Sequence, residues 1–271
     1  MKIALAQILA TKDVQQNLQT VREYAEQAKG RGASCVVFPE ATMVAFGGRL
    51  YDDVVPALPV WEAGVRQVAR EVGITVVAGF FSPEPSTDPD APRVKNQLAV
   101  VAPDGGTETY TKIHLYDALG FKESDGVSPG NHVTVATIDG VKVGLALCYD
   151  VRFPKLFAEL SRAGAQVIVV PASWAAGEGK VEQWQLLTSV RALDSNCFVV
   201  AVDQAYPRAV DPEADVDGPF GVGCSRVVSP FGKTIAELGE APGLEVVELD
   251  LGQVRKAKES LPVIENAKLG Y

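Results

Sequence analysis

The sequence predicts an α/β fold arranged as a four-layer α-β-β-α sandwich with two mixed sheets. Short apolar runs rich in β-branched residues alternate with longer amphipathic runs along the 271 residues. This alternation occurs once in each half of the chain, and a predicted hairpin adds antiparallel strands to parallel ones. Two similar halves, each a sheet with helices on one side, can bury their remaining faces against each other.

The first half starts with the strand KIALAQ. An amphipathic helix follows, and its apolar stripe contains Val14, Leu18, Val21, Ala25 and Ala28. Gly30 and Gly32 supply the helix stop. The strand SCVVFPE comes next, then a helix over VWEAGVRQVAREVG (60–73) and the strand ITVVAGFF. Because SCVVFPE is apolar on both faces, we expect helices to cover this sheet.

In the middle of the chain, the strands NQLAVV and TETYT are predicted to form a hairpin around a turn at 103–106. The strand VKVGLAL, a helix over 154–163, the strand QVIVVPAS, a helix over about 181–195 and the strand CFVVAVDQ then repeat the earlier alternation. Three more strands and a last helix over about 252–260 complete the chain. Surface loops are expected at 82–93 and 205–221. We expect one domain over 1–271.

Composition and charge exclude several classes of function. The formal net charge is -9 and basic residues are scattered singly, so a nucleic-acid partner is not expected. No apolar run is long enough to cross a bilayer, and the N-terminus lacks a secretory cleavage pattern, which predicts a cytoplasmic protein without membrane attachment. The four cysteines are expected to be free thiols. A calcium-loop spacing that starts at Glu213 fails at Cys224, and no metal is expected.

Three reactive side chains follow predicted strand ends: Glu40 after CVVFP, Lys112 after TETYT and Cys148 after GLAL. If these strands are neighbours, a carboxylate, an ammonium and a thiol converge. That set suits amide hydrolysis through a thioester, with cysteine as nucleophile, the carboxylate as proton acceptor and the cation at the oxyanion. No metal or organic cofactor is required.

Each of these residues also has an inert interpretation. Glu40 could cap a helix, Lys112 could lie on a surface strand, and Cys148 could be a core residue. The usual base of a cysteine hydrolase is histidine, yet neither His114 nor His132 lies beside an obvious orienting acid in the sequence. His114 is expected to share a strand face with Lys112 and to line the pocket, or else to be a structural histidine.

Taken together, FPEA around Glu40, YTKIHLYD around Lys112 and CYDVRFP around Cys148 resemble the nitrilase superfamily of carbon-nitrogen hydrolases. The three motifs stand in the family's order, and the resemblance extends from KIALAQ to LPVIENAKLGY. It implies that Glu40 is the general base, Lys112 the oxyanion stabiliser and Cys148 the nucleophile. It also implies a second glutamate, Glu123 in FKESDGVSPG, that positions the substrate and handles protons.

The resemblance extends to the substrate pocket. Backbone N–H of Tyr149 would complete the oxyanion site, and Trp174 in PASWAAG resembles a pocket-wall position. Arg152 or Arg191 could bind a substrate carboxylate, although either could be a structural ion-pair partner. A homodimer or higher homo-oligomer is implied, with the tail at about 252–271 reaching across the interface.

Within the superfamily, CYDVRFP and KIHLYD are most similar to the Nit-type branch of omega-amidase and deaminated glutathione amidase. The sequence departs from that branch at Gln183-Trp184-Gln185, at Gly223-Cys224-Ser225 and near Lys268, which leaves the substrate open. The hypothesis is hydrolysis of a small linear amide to a carboxylic acid and ammonia. The alternatives are a nitrilase, a carbamoyl amidohydrolase, or a binding scaffold without activity.

Overall fold

A computed structural model describes residues 1–84, 92–268 and 270, and these form alternating strands and helices. The helices are α1 Val14–Gly30, α2 Leu50–Val72, α3 Pro154–Arg162, α4 Lys180–Ser195, α5 Gly252–Ser260 and α6 Val263–Asn266. The strands are β1 Lys2–Gln7, β2 Cys35–Val37, β3 Thr75–Glu84, β4 Arg93–Val101, β5 Thr107–Thr111, β6 Asp117–Ala118, β7 Phe121–Lys122, β8 Val127–Ser128, β9 Val135–Ile138, β10 Val141–Leu145, β11 Val167–Ala172, β12 Phe198–Asp203, β13 Arg226–Val228, β14 Thr234–Glu237 and β15 Gly243–Glu248.

Two large mixed sheets organise these strands. The first has the order β15-β1-β2-β3-β4-β5, with β8 paired to β4, and the second has the order β14-β13-β12-β11-β10-β9. Along each of these orders the central pairs are parallel and the outer pairs are antiparallel, whereas β8 pairs parallel with β4. The predicted hairpin is confirmed, because β4 and β5 pair antiparallel around the turn at 103–106.

Alternation of side chains along the strands produces the layers. In β1, Ile3 and Leu5 belong to an apolar cluster shared by the two sheets, whereas Ala4 and Ala6 face α1 and α2. The outer face of the second sheet packs against α3 and α4. The predicted four-layer α-β-β-α sandwich is therefore confirmed. Its two sheets face each other across a core of mainly β-branched side chains.

The second helix is longer than predicted. We expected it to begin at Val60, yet α2 begins at Leu50 and contains Pro56 and Pro59. A proline inside a helix removes a backbone hydrogen bond and normally ends the pattern. Here the first turns bury Val54 and Ala57 against the core, and this tertiary packing outweighs the local penalty.

Smaller expectations were mostly accurate. The helix α1 ends at Gly30, as expected, and Gly32 has a φ of +82°. Residues 205–221 form irregular structure apart from one short turn, as predicted. Of the loop expected at 82–93, residues 82–84 and 93 belong to strands, and 85–91 lie outside the described residues.

All four cysteines are free thiols. Each helix in the described part of the chain is too short or too polar to cross a membrane.

Candidate active site

Glu40, Lys112 and Cys148 each follow a strand end, as predicted, but their strands are not neighbours in one sheet. β2 and β5 lie in the first sheet with β3 and β4 between them, and β10 lies in the second sheet. The three side chains meet because the ends of both sheets open on the same cavity, which all three line. The site therefore depends on how the sheets stack.

Tight backbone turns place Glu40 and Cys148 in this cavity. A Cβ atom on Gly79 would lie 2.7 Å from the Cα of Glu40, so glycine in β3 makes room for the turn after Pro39. Cys148 has a φ of +48°, which is uncommon for a residue with a side chain. Asp150 stabilises this turn, because its carboxylate accepts the N–H of Leu147 at 2.9 Å. Strain of this kind is often found at functional sites.

The ammonium of Lys112 joins the two predicted glutamates. Its Nζ lies 2.9 Å from Oε1 of Glu40 and 3.0 Å from Oε2 of Glu123. All three side chains are buried, with at most 3% of each exposed. The structure thus brings Glu123 together with Glu40, Lys112 and Cys148, as expected. Burial alone would lower the pKa of Lys112, but the carboxylates of Glu123 and Glu40 raise it overall, so the amine is a cation at neutral pH.

A fourth polar residue, Asn96, was missed by sequence reasoning. It lies on β4, is fully buried, and donates from Nδ2 to Oε1 of Glu40 at 2.8 Å and to Oε1 of Glu123 at 3.0 Å. Its backbone carbonyl also accepts the N–H of Lys112 at 2.9 Å. The sequence offered no clear signal, because Asn96 lies in the polar first half of β4, between Lys95 and Gln97. Asn96 and Lys112 together hold the two carboxylates in one arrangement.

Glu40 and Cys148 also share contacts with the end of β11. Oε2 of Glu40 accepts the backbone N–H of Ser173 at 2.9 Å, and the Ser173 carbonyl lies 4.0 Å from Sγ of Cys148. Burial and the Glu40 carboxylate raise the pKa of the Cys148 thiol well above its usual range, although Lys112 opposes this. The cysteine is therefore a neutral thiol at neutral pH and needs a base to remove its proton as it reacts.

The cavity around Cys148 is small and has aromatic walls. It leaves about 30 Å³ for the centres of water-sized spheres, enough for a compact polar group such as a carboxamide. The aromatic lining residues are Phe46, Tyr116, Phe121, Tyr149 and Trp174. Trp174, which resembles a pocket-wall position, is in this lining, and so is Tyr149, whose expected role at the oxyanion stays a prediction. Within the described residues, no cluster of His, Cys, Asp and Glu is arranged to hold a metal ion.

His114 does not line this cavity, contrary to expectation. β5 ends at Thr111, so His114 lies beyond the strand, where its Nδ1 is 2.7 Å from Oδ1 of Asp150 and its ring stacks on Phe153. The sequence shows no orienting acid beside His114, but the fold brings Asp150 to it from 36 positions away. Asp150, which is fully buried, additionally accepts the hydroxyl of Tyr110 at 2.6 Å. His114 therefore belongs to the network that supports the Cys148 turn.

Two cations stand at the rim of the cavity. Arg152 lines it as predicted, with its guanidinium 5.1 Å from the ring centre of Trp174, and Lys180 lies 5.8 Å from the same ring. Lys180 was not predicted, because it is the first residue of α4 and an irregular segment separates it from Trp174. Arg191, the other candidate for binding a carboxylate, lies elsewhere: it donates to the carbonyl of Val151 and pairs with Asp194.

The rim cations have no acidic partner. Among the described residues, Arg152 donates to the Gln183 amide at 2.7 Å, and neither Arg152 nor Lys180 has a carboxylate within 4.0 Å. Burial lowers the pKa of Lys180, and the nearby Arg152 lowers it further. Two like charges held close together without an acid favour a negatively charged group at the rim.

Comparisons with known proteins agree with this geometry. The profile of the family described as carbon-nitrogen hydrolase matches residues 2–259. A hydrolase of Mycobacterium tuberculosis is 46% identical over 98% of this chain and 95% of its own length. The deaminated glutathione amidase of Escherichia coli O157:H7 is 30% identical over 99% of this chain and 97% of its own length.

A solved structure shows the same arrangement of the chain. It is a variant of the amidase from Nesterenkonia sp. AN1, described as showing the result of Michael addition of acrylamide at the active site cysteine. Its TM-score to this chain is 0.78, with 26% sequence identity, over 97% of this chain and 98% of that one. The sequence similarity and the fold similarity thus extend over nearly the same residues.

Proposed function

Because the chain belongs to the carbon-nitrogen hydrolase family, we propose that it hydrolyses a small linear amide to a carboxylic acid and ammonia, through a thioester on Cys148. The observation that supports this most directly is the cavity shared by a thiol, a carboxylate and a buried ammonium. The amidase in the solved structure reacts with acrylamide at its active site cysteine. No metal or organic cofactor has a part in the proposed reaction.

In the first half of the reaction, Sγ of Cys148 attacks the amide carbon while Glu40 accepts the thiol proton. The raised pKa of Cys148 makes this transfer necessary, since little thiolate is present beforehand. The carbonyl oxygen becomes an oxyanion, which the Lys112 ammonium and the N–H of Tyr149 stabilise. Glu40 then passes the proton to the leaving nitrogen, and ammonia departs from the acyl-cysteine.

In the second half, water attacks the thioester carbon and Glu40 accepts a proton from it. The tetrahedral species collapses, the carboxylic acid leaves, and the Cys148 thiol is regenerated. Glu123 keeps the Lys112 ammonium in place through contacts of 3.0 and 3.1 Å. The positions of Glu40 and Lys112 therefore serve both halves of the reaction.

The rim cations support a narrower substrate class. We propose that the acyl part of the amide carries a carboxylate, which Arg152 and Lys180 bind while the carboxamide enters the cavity. The deaminated glutathione amidase among the relatives is consistent with such a class. Succinamate, a mono-amide of a dicarboxylic acid, is the simplest test compound, and butyramide is its uncharged counterpart.

The test is ammonia release from succinamate, butyramide, butyronitrile and N-carbamoyl-β-alanine. Turnover of an amide supports the proposal, and Cys148→Ala should abolish it. Cys224→Ala is the matched control, because Cys224 is a free thiol outside the cavity lining. Ammonia from the nitrile alone, or ammonia with carbon dioxide from the carbamoyl compound alone, would identify one of the alternative hydrolases. Binding of succinamate without any turnover would indicate a scaffold.

We also propose that the chain self-associates through the outer face of α4. Leu186 and Leu193 lie seven positions apart on this helix and are 65% and 43% exposed. Leu193 lies beside Gly232, next to the exposed Phe231, and α6 packs against α4, so the C-terminal tail adjoins the same face. Light scattering should give a mass of at least two chains, and Leu186→Lys should lower it. A monomeric wild-type protein would contradict this proposal.

A further inference from the structure

Asp203 is a buried carboxylate that has no part in the proposed reaction. It is the last residue of β12, it is fully buried, and no Lys or Arg within the described chain forms an ion pair with it. Its two oxygens accept different backbone N–H groups, that of Trp174 at 2.8 Å on Oδ1 and that of Val222 at 2.7 Å on Oδ2. One side chain thus ties together two segments that are distant in sequence.

Both of these segments carry walls of the cavity. The residue before Trp174 is Ser173, whose N–H donates to Glu40 and whose carbonyl lies next to the Cys148 thiol. Two successive backbone N–H groups, those of Ser173 and Trp174, therefore each donate to a buried carboxylate, the first to Glu40 and the second to Asp203. The indole of Trp174 forms part of the cavity wall itself.

The second segment is the end of the long loop before β13. Val222 follows Gly221, whose N–H donates to the carbonyl of Trp174 at 3.1 Å. Two residues earlier, Pro219 lines the cavity, and its carbonyl accepts the hydroxyl of Ser173. Asp203 therefore adds two buried hydrogen bonds to the direct contacts that join the end of β11 to this loop, and both segments line the cavity.

We propose that Asp203 is a positioning residue for this enzyme: its ionised carboxylate holds the Ser173–Trp174 wall against the loop that carries Pro219, and substrate binding requires both hydrogen bonds. A protonated carboxyl group accepts poorly through its O–H oxygen, so protonation weakens one of the two bonds. The N–H that loses its acceptor, on Trp174 or on Val222, then holds its part of the cavity wall less firmly.

The charges around Asp203 place this protonation in an accessible pH range. Burial raises the pKa of Asp203 to about 8, backbone N–H groups oppose this, and the Glu40 carboxylate adds to it. The titratable groups that face Asp203 are Glu40, from the turn after β2, and Cys224, from the segment before β13. Cys224 has a pKa of about 11 and stays neutral in this range. Substrate binding should therefore strengthen as the pH rises through about 8.

The test is Asp203→Asn, which keeps the size of the side chain but replaces one acceptor oxygen by an NH₂ group. For succinamate we expect KM to rise about tenfold, which corresponds to about 1.4 kcal/mol, with kcat changed less than about threefold. The rise of kcat/KM through pH 8 should disappear in the variant. Ser225→Ala is the matched control, because the Ser225 hydroxyl contacts the backbone of Asp203 and not its carboxylate. It accepts the N–H of Asp203 at 3.0 Å and lies 3.4 Å from the Asp203 carbonyl oxygen. That control should lose stability yet keep the wild-type KM and pH profile.

A second measurement needs neither turnover nor a folded Asp203 variant. Intrinsic fluorescence of the wild-type protein should show a step near pH 8 as the surroundings of Trp174 change, and Trp174→Phe should lack this step. This inference rests on the proposed function for its substrate, but the fluorescence step does not. Absence of the step, or wild-type KM and pH profile in a folded Asp203→Asn, would overturn the positioning role. A step without ammonia release would instead contradict the proposed function alone.

Discussion

Asn96→Ala tests how the two site glutamates are held. The substitution removes two buried hydrogen bonds to carboxylates, from Nδ2 to Glu40 at 2.8 Å and to Glu123 at 3.0 Å. A hydrogen bond to a charged group contributes about 1.5 kcal/mol at the low end, and the low end applies because both carboxylates keep Lys112. The free energy of unfolding should therefore fall by about 3 kcal/mol.

Activity should fall further than this loss of stability explains. Without Asn96, Glu40 keeps Lys112 and Ser173 as partners but can rotate, so the base is less often within reach of the Cys148 proton. We expect kcat to fall by about tenfold to a hundredfold, measured as ammonia release at a temperature where the variant is fully folded. Unfolding in urea gives the stability, provided that the slope with denaturant matches the wild type.

The neighbouring residue offers a matched control for this experiment. Gln97 lies on the opposite face of β4, and its amide bonds to Ser82 and Thr111, away from the cavity. Gln97→Ala should therefore reduce stability and leave kcat unchanged. A folded Asn96→Ala protein with kcat within about threefold of the wild type would refute the argument, because two charge-assisted bonds would then contribute nothing to the position of the base.

Three further predictions concern the charges of the site. Lys112→Met leaves two buried carboxylates without their cation, so the free energy of unfolding should fall by about 3–5 kcal/mol at pH 7. Unfolding in urea at pH 7 measures this loss, and a free energy of unfolding equal to that of the wild type would contradict the prediction. Glu40→Gln should abolish turnover and yet lower the pKa of Cys148, because that carboxylate raises it, and thiolate absorbance against pH should show a lower midpoint than the wild type. Lys180→Ala and Arg152→Ala should each raise the KM for succinamate about tenfold or more and leave the KM for butyramide unchanged. Equal increases in KM for both amides would contradict the proposal that the substrate carries a carboxylate.

Local pattern was sufficient to predict the order of the long elements, but not the short strands β6 to β9 or the short helix α6. Strand and helix periodicities are properties of short segments, so the alternation and the β4–β5 hairpin could be recognised without any knowledge of distant contacts. The start of α2 could not, because Pro56 and Pro59 oppose a helix locally and only burial against the core compensates. Local propensity was wrong where tertiary packing was stronger.

The sequence by itself determined which groups stand at strand ends, and with them Glu40, Lys112, Cys148 and the nearby Glu123. Motif and chain order were enough for these residues, because each lies beside a recognisable turn. The structure then decided that their strands come from two different sheets. No local pattern contains that information, since it depends on which faces the sheets bury against each other.

The supporting residues were determined only by the tertiary structure. Asn96 lies beside Lys112 because β4 pairs with β5 in one particular register, and Asp203 joins Trp174 to Val222, which is 48 positions later in the sequence. His114 pairs with Asp150 because two loops meet at the Cys148 turn. A hydrogen bond requires its two atoms to lie within about 3 Å, and only the packed chain determines which distant residues come that close.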